Sequence, residues 1–147
     1  MLSEIDFRIR LAIYTTFAEG GIPLSAALSS RLHVPQPQIY ESYERLHTAR
    51  AIVLDPHTRE VRMALPFSAV PTPFRVLAQG RTWFANCAWD SFGIPNLVGC
   101  DAVLATSCPD CEGPIVHRVE QRRLADAHGV VHFAVPAAKW WDNIGYT

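Results

Sequence analysis

The sequence has no long apolar run and no excess of charge of either sign. No stretch approaches the ~18 consecutive apolar residues that a membrane-spanning helix needs. The net charge of −1 argues against a nucleic-acid partner or an anionic membrane held by bulk electrostatics. Acidic residues occur near the N-terminus and no uninterrupted apolar run follows them. We therefore expect no signal peptide and a cytoplasmic protein. At 147 residues, 49% of them hydrophobic, the chain can form one large domain or two small ones.

Cysteine is absent from the first 86 residues. The four cysteines are Cys87, Cys100, Cys108 and Cys111. A secreted disulfide-rich protein usually spreads its cysteines through a short chain that carries a signal peptide. We therefore interpret these residues as free thiols that bind a metal or act in catalysis.

Hydrophobic periodicity in residues 1–66 predicts three helices followed by a β-hairpin. The predicted helices cover residues 4–18, 25–32 and 38–50, and the hairpin strands cover residues 51–54 and 60–64. This order of elements is that of a winged helix-turn-helix, a fold that often binds DNA. The region contains seven Lys/Arg and seven Asp/Glu, so it lacks the basic excess of a DNA reader. We therefore favour a packing module that covers part of a second domain.

The composition changes at a proline-rich segment. Three prolines between residues 66 and 73 predict an extended path, and we interpret residues 67–73 as a connector. Residues 74–147 then predict a small mixed sheet domain. Its elements are a hairpin over 74–77 and 81–84, a helix from 85 to about 97, and strands over 101–106, 114–120 and 130–135. The predicted fold class is α+β.

The segment over residues 82–90 carries the most chemical information. It places the thiol of Cys87 and the carboxyl group of Asp90 three residues apart within an aromatic run, and such residues share one face of a helix. The thiolate could hold a soft metal and the acid could protonate the group that leaves. The aromatic residues predicted to form a substrate pocket are Trp83, Phe84, Trp89 and Phe92. The alternative is that Cys87 is a small buried hydrophobic residue and Asp90 a capping carboxylate.

A Cys-x-x-Cys turn is the second candidate site. It runs from Cys108 to Cys111, and a structural zinc site usually takes four ligands from two such turns. The sequence contains one such turn, so Cys87 could share a metal ion with it only if the chain folds back. A bound zinc ion therefore remains an open alternative.

Several short motifs together resemble the organomercurial (alkylmercury) lyases. They are Cys87-Ala88-Trp89-Asp90, Ile94-Pro95, Val98-Gly99 and Ser107-Cys108. The resemblance covers almost the whole chain, including the predicted winged helix and the hairpin that follows it. It implies that Cys87 and Asp90 are catalytic and that Cys108 has a structural role. Lyases of this family cleave a carbon–mercury bond with two cysteines and one aspartate, releasing a hydrocarbon and leaving Hg(II) on sulfur.

The resemblance also implies a substrate, a cofactor requirement and a missing residue. The substrate would be a small organometallic or thiophilic compound, and no cofactor would be required. The family's second catalytic cysteine is expected shortly after residues 140–147, where the sequence stops. We therefore expect a sheet domain that is incomplete at its C-terminus, which puts lyase activity in doubt unless Cys100, Cys108 or Cys111 substitutes.

Two other functions remain open at this point. The first is a cysteine-based metal-binding regulator that uses the winged helix on DNA. The second is a structural zinc module built on the Cys-x-x-Cys turn.

Overall fold

The structure, a computed structural model, describes residues 1–145 as an α+β fold built on an antiparallel sheet. The helices are α1 (Glu4–Ala18), α2 (Ser25–Leu32), α3 (Gln36–Thr48), α4 (Ala88–Val98) and a 3-10 helix over Ala137–Asp142. The strands are β1 (Val53–Leu54), β2 (Val61–Ala64), β3 (Phe67–Ser68), β4 (Arg75–Ala78), β5 (Arg81–Ala85), β6 (Ala102–Ser107), β7 (Pro114–Glu120) and β8 (Arg123–Leu124). None of the helices within the described residues is both long and apolar enough to cross a membrane.

The strands form one sheet that extends from the N-terminal hairpin to the C-terminal one. Their order is β1-β2-β3-β5-β4-β6-β7-β8, and every neighbouring pair is antiparallel. The short strand β3 joins the two halves because it pairs with β2 on one side and with β5 on the other. Residues 67–73 were predicted to be a connector because of the prolines around them. The first two, Phe67 and Ser68, instead form β3, and both are buried in the sheet.

Helix α1 packs its apolar face into the core, mainly against α3 and α2, and its C-terminal end contacts the sheet. Ile9 and Ile13 are fully buried, and the ring of Phe17 stacks on Phe67 at a centroid distance of 5.2 Å. The indole Nε1 of Trp83 donates a hydrogen bond of 2.6 Å to the backbone oxygen of Phe17. Burial of such side chains stabilises a fold by about 1.5–3 kcal/mol each, so these contacts hold α1 against β3 and β5.

A buried carboxylate joins α1 to α3. Asp6 is fully buried and accepts hydrogen bonds from Arg45 at 2.9–3.1 Å and from the Ser42 hydroxyl at 2.7 Å. It also accepts hydrogen bonds from the backbone N–H and the hydroxyl of Ser3, the N-terminal cap residue of α1. Burial alone would raise the pKa of Asp6, but the hydrogen bonds from Arg45, Ser3 and Ser42 outweigh it and hold the pKa well below its usual range.

The secondary structure confirms most of the predicted elements. The predicted helices over 4–18 and 25–32 have the bounds of α1 and α2, and the third begins two residues earlier than expected. Both predicted hairpins are present, as are the strands near residues 101–106 and 114–120.

The strand predicted over residues 130–135 is wrong, because that segment forms no β-ladder. The edge of β7 is occupied by β8, which follows a tight turn at Gln121 and Arg122 with φ values of 49° and 66°. The segment instead passes over α4, where Phe133 packs edge-on against Trp89 at a centroid distance of 6.3 Å.

Substitution of Asp6 with Asn should lower the free energy of unfolding by about 2 kcal/mol, since a hydrogen bond to a charged group contributes about 1.5–3 kcal/mol. The loss should stay below that of a fully buried ion pair because Arg45 remains 41% exposed and can be hydrated. Urea denaturation at pH 7 measures the change. Glu44→Gln, which breaks an exposed ion pair with Arg59, is the control and should change the midpoint little.

The Asp6→Asn variant should also remove part of the pH dependence of the free energy of unfolding. The folded pKa of Asp6 is depressed, so its stabilisation is present above the usual aspartate pKa of about 3.9 and is lost as pH falls through the folded value. The difference between wild type and Asp6→Asn should therefore shrink below about pH 4. A difference that stays constant down to pH 2 would contradict this account of the network.

Candidate active site

The junction between β5 and α4 brings Cys87 and Asp90 together. Strand β5 ends at Ala85, and Cys87 caps α4 in an extended conformation with φ −147° and ψ 177°. Asp90 is the third residue of the helix, so its side chain points back toward the cap residue. This is the spacing of a capping box, with a thiol in place of the usual hydroxyl. The helix predicted from residue 85 therefore begins at Ala88. Cys87 caps its N-terminus instead of lying within it, and still faces Asp90.

Burial dominates the electrostatics of the Cys87 thiol. A helix N-terminus ordinarily lowers a thiol pKa, and the backbone N–H groups of Asp90 and Trp89 act in that direction here. Burial raises the pKa of Cys87 by more, and the negative charge of Asp90 raises it further. The thiol therefore keeps its proton at neutral pH until an electrophile displaces it.

Burial also raises the pKa of the Asp90 carboxyl group. Hydrogen bonding with Asn86 and with Cys87 lowers it by a smaller amount, so the net shift is upward. A carboxyl group with a raised pKa holds a proton closer to neutral pH than an exposed aspartate does. The pair can thus store a proton and release it to a neighbouring atom.

A pocket of about 550 Å³ opens on this pair. Its lining includes Cys87, Asp90, Asn86, Trp89, Met63, Leu65, Phe74, Pro109 and several residues of the segment 132–145. The size suits a small molecule, and the walls are largely apolar around one thiol and one carboxyl group.

The segment over residues 132–145 covers one side of the pocket with aromatic contacts. Phe133 lies between Trp89 and Trp140, with centroid distances of 6.3 Å and 5.5 Å. The indole Nε1 of Trp140 donates a hydrogen bond of 2.8 Å to the backbone oxygen of Val135. These contacts place three aromatic rings along the side of the pocket that Trp89 borders.

The four aromatic residues predicted as a substrate pocket do not all lie together. Trp89 lines the pocket that contains Cys87, whereas Phe92 lines neighbouring pockets on α4. Trp83 is buried below the sheet against Phe17, and Phe84 lies on β5. Within residues 1–145, neither Trp83 nor Phe84 borders the Cys87 pocket.

The Cys-x-x-Cys turn connects β6 to β7. The N–H of Cys108 donates to the oxygen of Gly113, and the N–H of Glu112 donates to the oxygen of Cys108, each at 2.9 Å. Backbone N–H groups of Cys111 and Asp110 lower the pKa of the Cys108 thiol. Pro109, which lies between the two cysteines, lines the Cys87 pocket.

No resident metal centre is formed by the part of the chain that the structure describes. Across residues 1–145, no three side chains of His, Cys, Asp or Glu are grouped so as to hold a metal ion. All four cysteines are free thiols. The four-ligand set that a structural zinc ion needs is therefore not assembled from the described residues.

Comparison with known proteins identifies the family. The family model described as "MerB: Alkylmercury lyase" matches residues 67–147, more than half of the chain. The chain belongs to the alkylmercury lyase family. No curated protein sequence matches this member of the family.

A solved structure supports the same fold. The structure described as "Crystal structure of the mercury-bound form of MerB2" aligns with this alkylmercury lyase family member at a TM-score of 0.68 and 22% identity. The alignment covers 85% of this chain and 60% of the other, so the chain spans less than two thirds of that protein's length. At this level of identity the likeness establishes the fold.

Asn86 lines the Cys87 pocket, although the sequence did not predict it as a site residue. Its side-chain Nδ2 donates to the backbone oxygens of Pro66 (3.2 Å) and Phe67 (3.1 Å), which ties the start of α4 to β3. Its buried Oδ1 has no hydrogen-bond partner among the described residues. Asparagine next to a cysteine carries no periodic signal, so only the structure places it in the site.

Substitution of Asp90 with Asn should lower the pKa of the Cys87 thiol, because a negative charge that opposes thiolate formation is removed. The rate of alkylation of Cys87 by iodoacetamide should then rise at a lower pH than in wild type. Peptide mass spectrometry separates Cys87 from the other cysteines in the same sample.

Asp101→Asn is the matched control for that experiment. Burial raises the pKa of Cys100 and the charge of Asp101 raises it further, so this variant should shift the profile of Cys100 and leave that of Cys87 in place. Identical Cys87 profiles in wild type and Asp90→Asn would show that the two groups do not interact.

Proposed function

We propose that this protein cleaves carbon–mercury bonds by protonolysis, as an alkylmercury lyase-like enzyme. The observation that carries the proposal is the contact of one thiol and one carboxyl group at the start of α4, inside a largely apolar pocket. Membership of the alkylmercury lyase family supports the same chemistry.

The proposed reaction needs a soft ligand and a proton. The sulfur of Cys87 binds the mercury of an organomercurial cation and gives up its thiol proton, which the Asp90 carboxylate accepts. The carbon–mercury bond then breaks, its electron pair stays on carbon, and Asp90 returns the proton to that carbon. The products are a hydrocarbon, Hg(II) on the sulfur of Cys87 and an ionised Asp90. The raised pKa of Asp90 favours the protonated form that the second step consumes.

A second thiolate would strengthen both steps because Hg(II) prefers soft sulfur ligands. We propose Cys108 and Cys111 as additional mercury ligands, since Pro109 between them lies in the wall of the Cys87 pocket, although neither thiol is itself among the described lining residues and the three sulfurs are not grouped without mercury. The backbone N–H groups that lower the pKa of Cys108 favour its thiolate form, the form that binds a metal.

Trp89 and Phe92 are the aromatic residues that we propose as walls of the substrate site. Trp89 is 60% exposed, and its contact with Phe133 places it between the pocket and solvent. Trp83 and Phe84 would act indirectly, by holding β5 and therefore the start of α4.

The N-terminal region is proposed as a winged-helix packing module over residues 1–66, joined by residues 67–73 to the lyase-like region over 74–147. Four of its arginines lie in ion pairs, and two of these pairs, Arg45 with Asp6 and Arg59 with Glu44, involve α3. Because these pairs neutralise charge on and beside α3, they favour a packing role over DNA binding.

Cys87→Ser should abolish mercury capture in the site, because oxygen is a hard and weak ligand for mercury. Asp90→Asn should retain capture and slow release of benzene from phenylmercury by roughly 10²–10⁴-fold, the usual contribution of a positioned acid. Single-turnover benzene release, followed beside mercury binding by mass spectrometry, separates the two steps.

Cys100→Ser is the control for these variants, since among the described residues Cys100 borders none of the pockets near Cys87. Cys100→Ser should capture mercury and release benzene as wild type does. If Cys87→Ser captures mercury and releases benzene at the wild-type rate, the proposed assignment of the site is wrong.

Cys108→Ser and Cys111→Ser should each speed the loss of Hg(II) to a competing dithiol, because one thiolate fewer remains on the metal. Competition with dithiothreitol, read by mass spectrometry of the mercury-loaded protein, measures the change. Retention equal to that of Cys100→Ser in both variants would exclude these two cysteines as mercury ligands.

A further inference from the structure

A second pocket lies between α1 and α4 and shares part of its wall with the Cys87 pocket. Its volume is about 860 Å³. Leu65, Trp89 and Asp90 line both pockets. Among the described lining residues, Cys87 belongs to the Cys87 pocket and not to this second pocket. Asp90 therefore lies at the boundary between a pocket that contains the thiol and a pocket that does not.

The walls of the second pocket are apolar and open to solvent. Phe7, Leu11 and Leu97 are 54%, 69% and 56% exposed, although each is a large apolar side chain. Besides the three residues shared with the Cys87 pocket, the lining also contains Arg10, Tyr14, Pro66, Phe92, Gly93 and Asn96. A contiguous apolar surface of this kind usually marks a binding site, and the volume is within the range of small-molecule pockets.

One cation faces this pocket. Arg10 lines it, with its guanidinium carbon 5.7 Å from the ring centroid of Tyr14. Tyr14 is itself held by a hydrogen bond of 3.0 Å from its hydroxyl to the backbone oxygen of Leu65. Within the described residues Arg10 forms no ion pair, so its guanidinium is available to an external anion.

These features together match an aromatic carboxylate. A guanidinium group binds a carboxylate through two parallel hydrogen bonds, and the apolar walls can bury an aromatic ring. An uncharged hydrocarbon would leave Arg10 without a partner, and a small inorganic anion would leave the apolar walls exposed.

We propose that this pocket, the Arg10 pocket, binds the organic group of the substrate and favours aryl groups that carry a carboxylate, such as 4-carboxyphenylmercury. The inference rests on the proposed lyase function. With mercury on Cys87 and the aryl group in the Arg10 pocket, the reacting carbon lies at the shared boundary beside Asp90. Arg10 then determines specificity and takes no part in bond cleavage.

A mercury-free ligand tests the Arg10 pocket without any turnover. Naphthalene-2-carboxylate should bind on the order of tenfold more tightly than naphthalene-2-carboxamide, as measured by calorimetry, because only the first pairs with a guanidinium group. Arg10→Gln should remove this preference. Arg8→Gln, which changes an exposed arginine outside the pocket on the same helix, should keep it.

Gly93 offers a steric test of the same pocket. A Cβ atom added at Gly93 would lie 3.6 Å from Pro66, an ordinary contact, so Gly93→Ala should bind both ligands. Gly93→Leu should weaken both by filling space beside Pro66. Thermal unfolding checks that each variant is folded. Equal affinity of the two ligands for wild type, a preference that survives Arg10→Gln, or a dimer that excludes both ligands would overturn the inference.

Single-turnover cleavage connects the pocket to the reaction. The ratio of the rate for 4-carboxyphenylmercury to that for phenylmercury should fall about tenfold in Arg10→Gln and stay unchanged in Arg8→Gln. If ligand binding follows Arg10 but neither substrate is cleaved, the lyase proposal fails and the pocket stands. If benzene is released but Arg10→Gln changes neither the ratio of the two cleavage rates nor the preference for the carboxylate ligand, the pocket assignment fails and the lyase proposal stands.

Discussion

The junction between β5 and α4 is the constraint on which the site depends. Strand β5 is paired on both sides, with β3 and with β4, so the point at which the chain leaves the sheet is held firmly. Asn86 adds two hydrogen bonds to the backbone next to β3. The chain then turns directly into α4, which brings the cap residue Cys87 against Asp90 in the first turn. The separation of thiol and acid therefore follows from backbone geometry rather than from flexible side chains.

Two opposing effects act on this pair, and burial is the stronger. The N-terminus of α4 offers backbone N–H groups that favour both the thiolate and the carboxylate. Removal from water disfavours both charged forms, and the net pKa shift of each group is upward. Mutual repulsion adds to this, because ionised Asp90 raises the pKa of Cys87. A site of this kind binds a cation better than it holds two anions, which is consistent with the proposed organomercurial substrate.

The apolar surroundings of the pair come from three separate parts of the chain. Helix α1 supplies one wall of the Arg10 pocket, α4 supplies Trp89, and the segment 132–145 adds Phe133 and Trp140 to the wall of the Cys87 pocket. The Asp6 network holds α1 to α3, and the stacking of Phe17 on Phe67 holds α1 to the sheet. Stability of the N-terminal helices and shape of the candidate site are thus physically connected.

The sequence by itself determined the local elements and the chemical pair. Helical spacing of apolar residues predicted α1 and α2 to the residue, and the spacing of Cys87 and Asp90 predicted that both share one face of a helix, although α4 begins at Ala88 with Cys87 as its cap. These features depend on neighbours a few residues apart, which periodicity records. Tertiary structure alone decided that Asp6 is buried, that Asn86 bonds to the backbone of Pro66 and Phe67, that Trp83 faces α1 and that residues 130–135 cross α4 without forming a strand. Each of these depends on contacts between residues far apart in the chain or on competition for one sheet edge, and no local pattern encodes either.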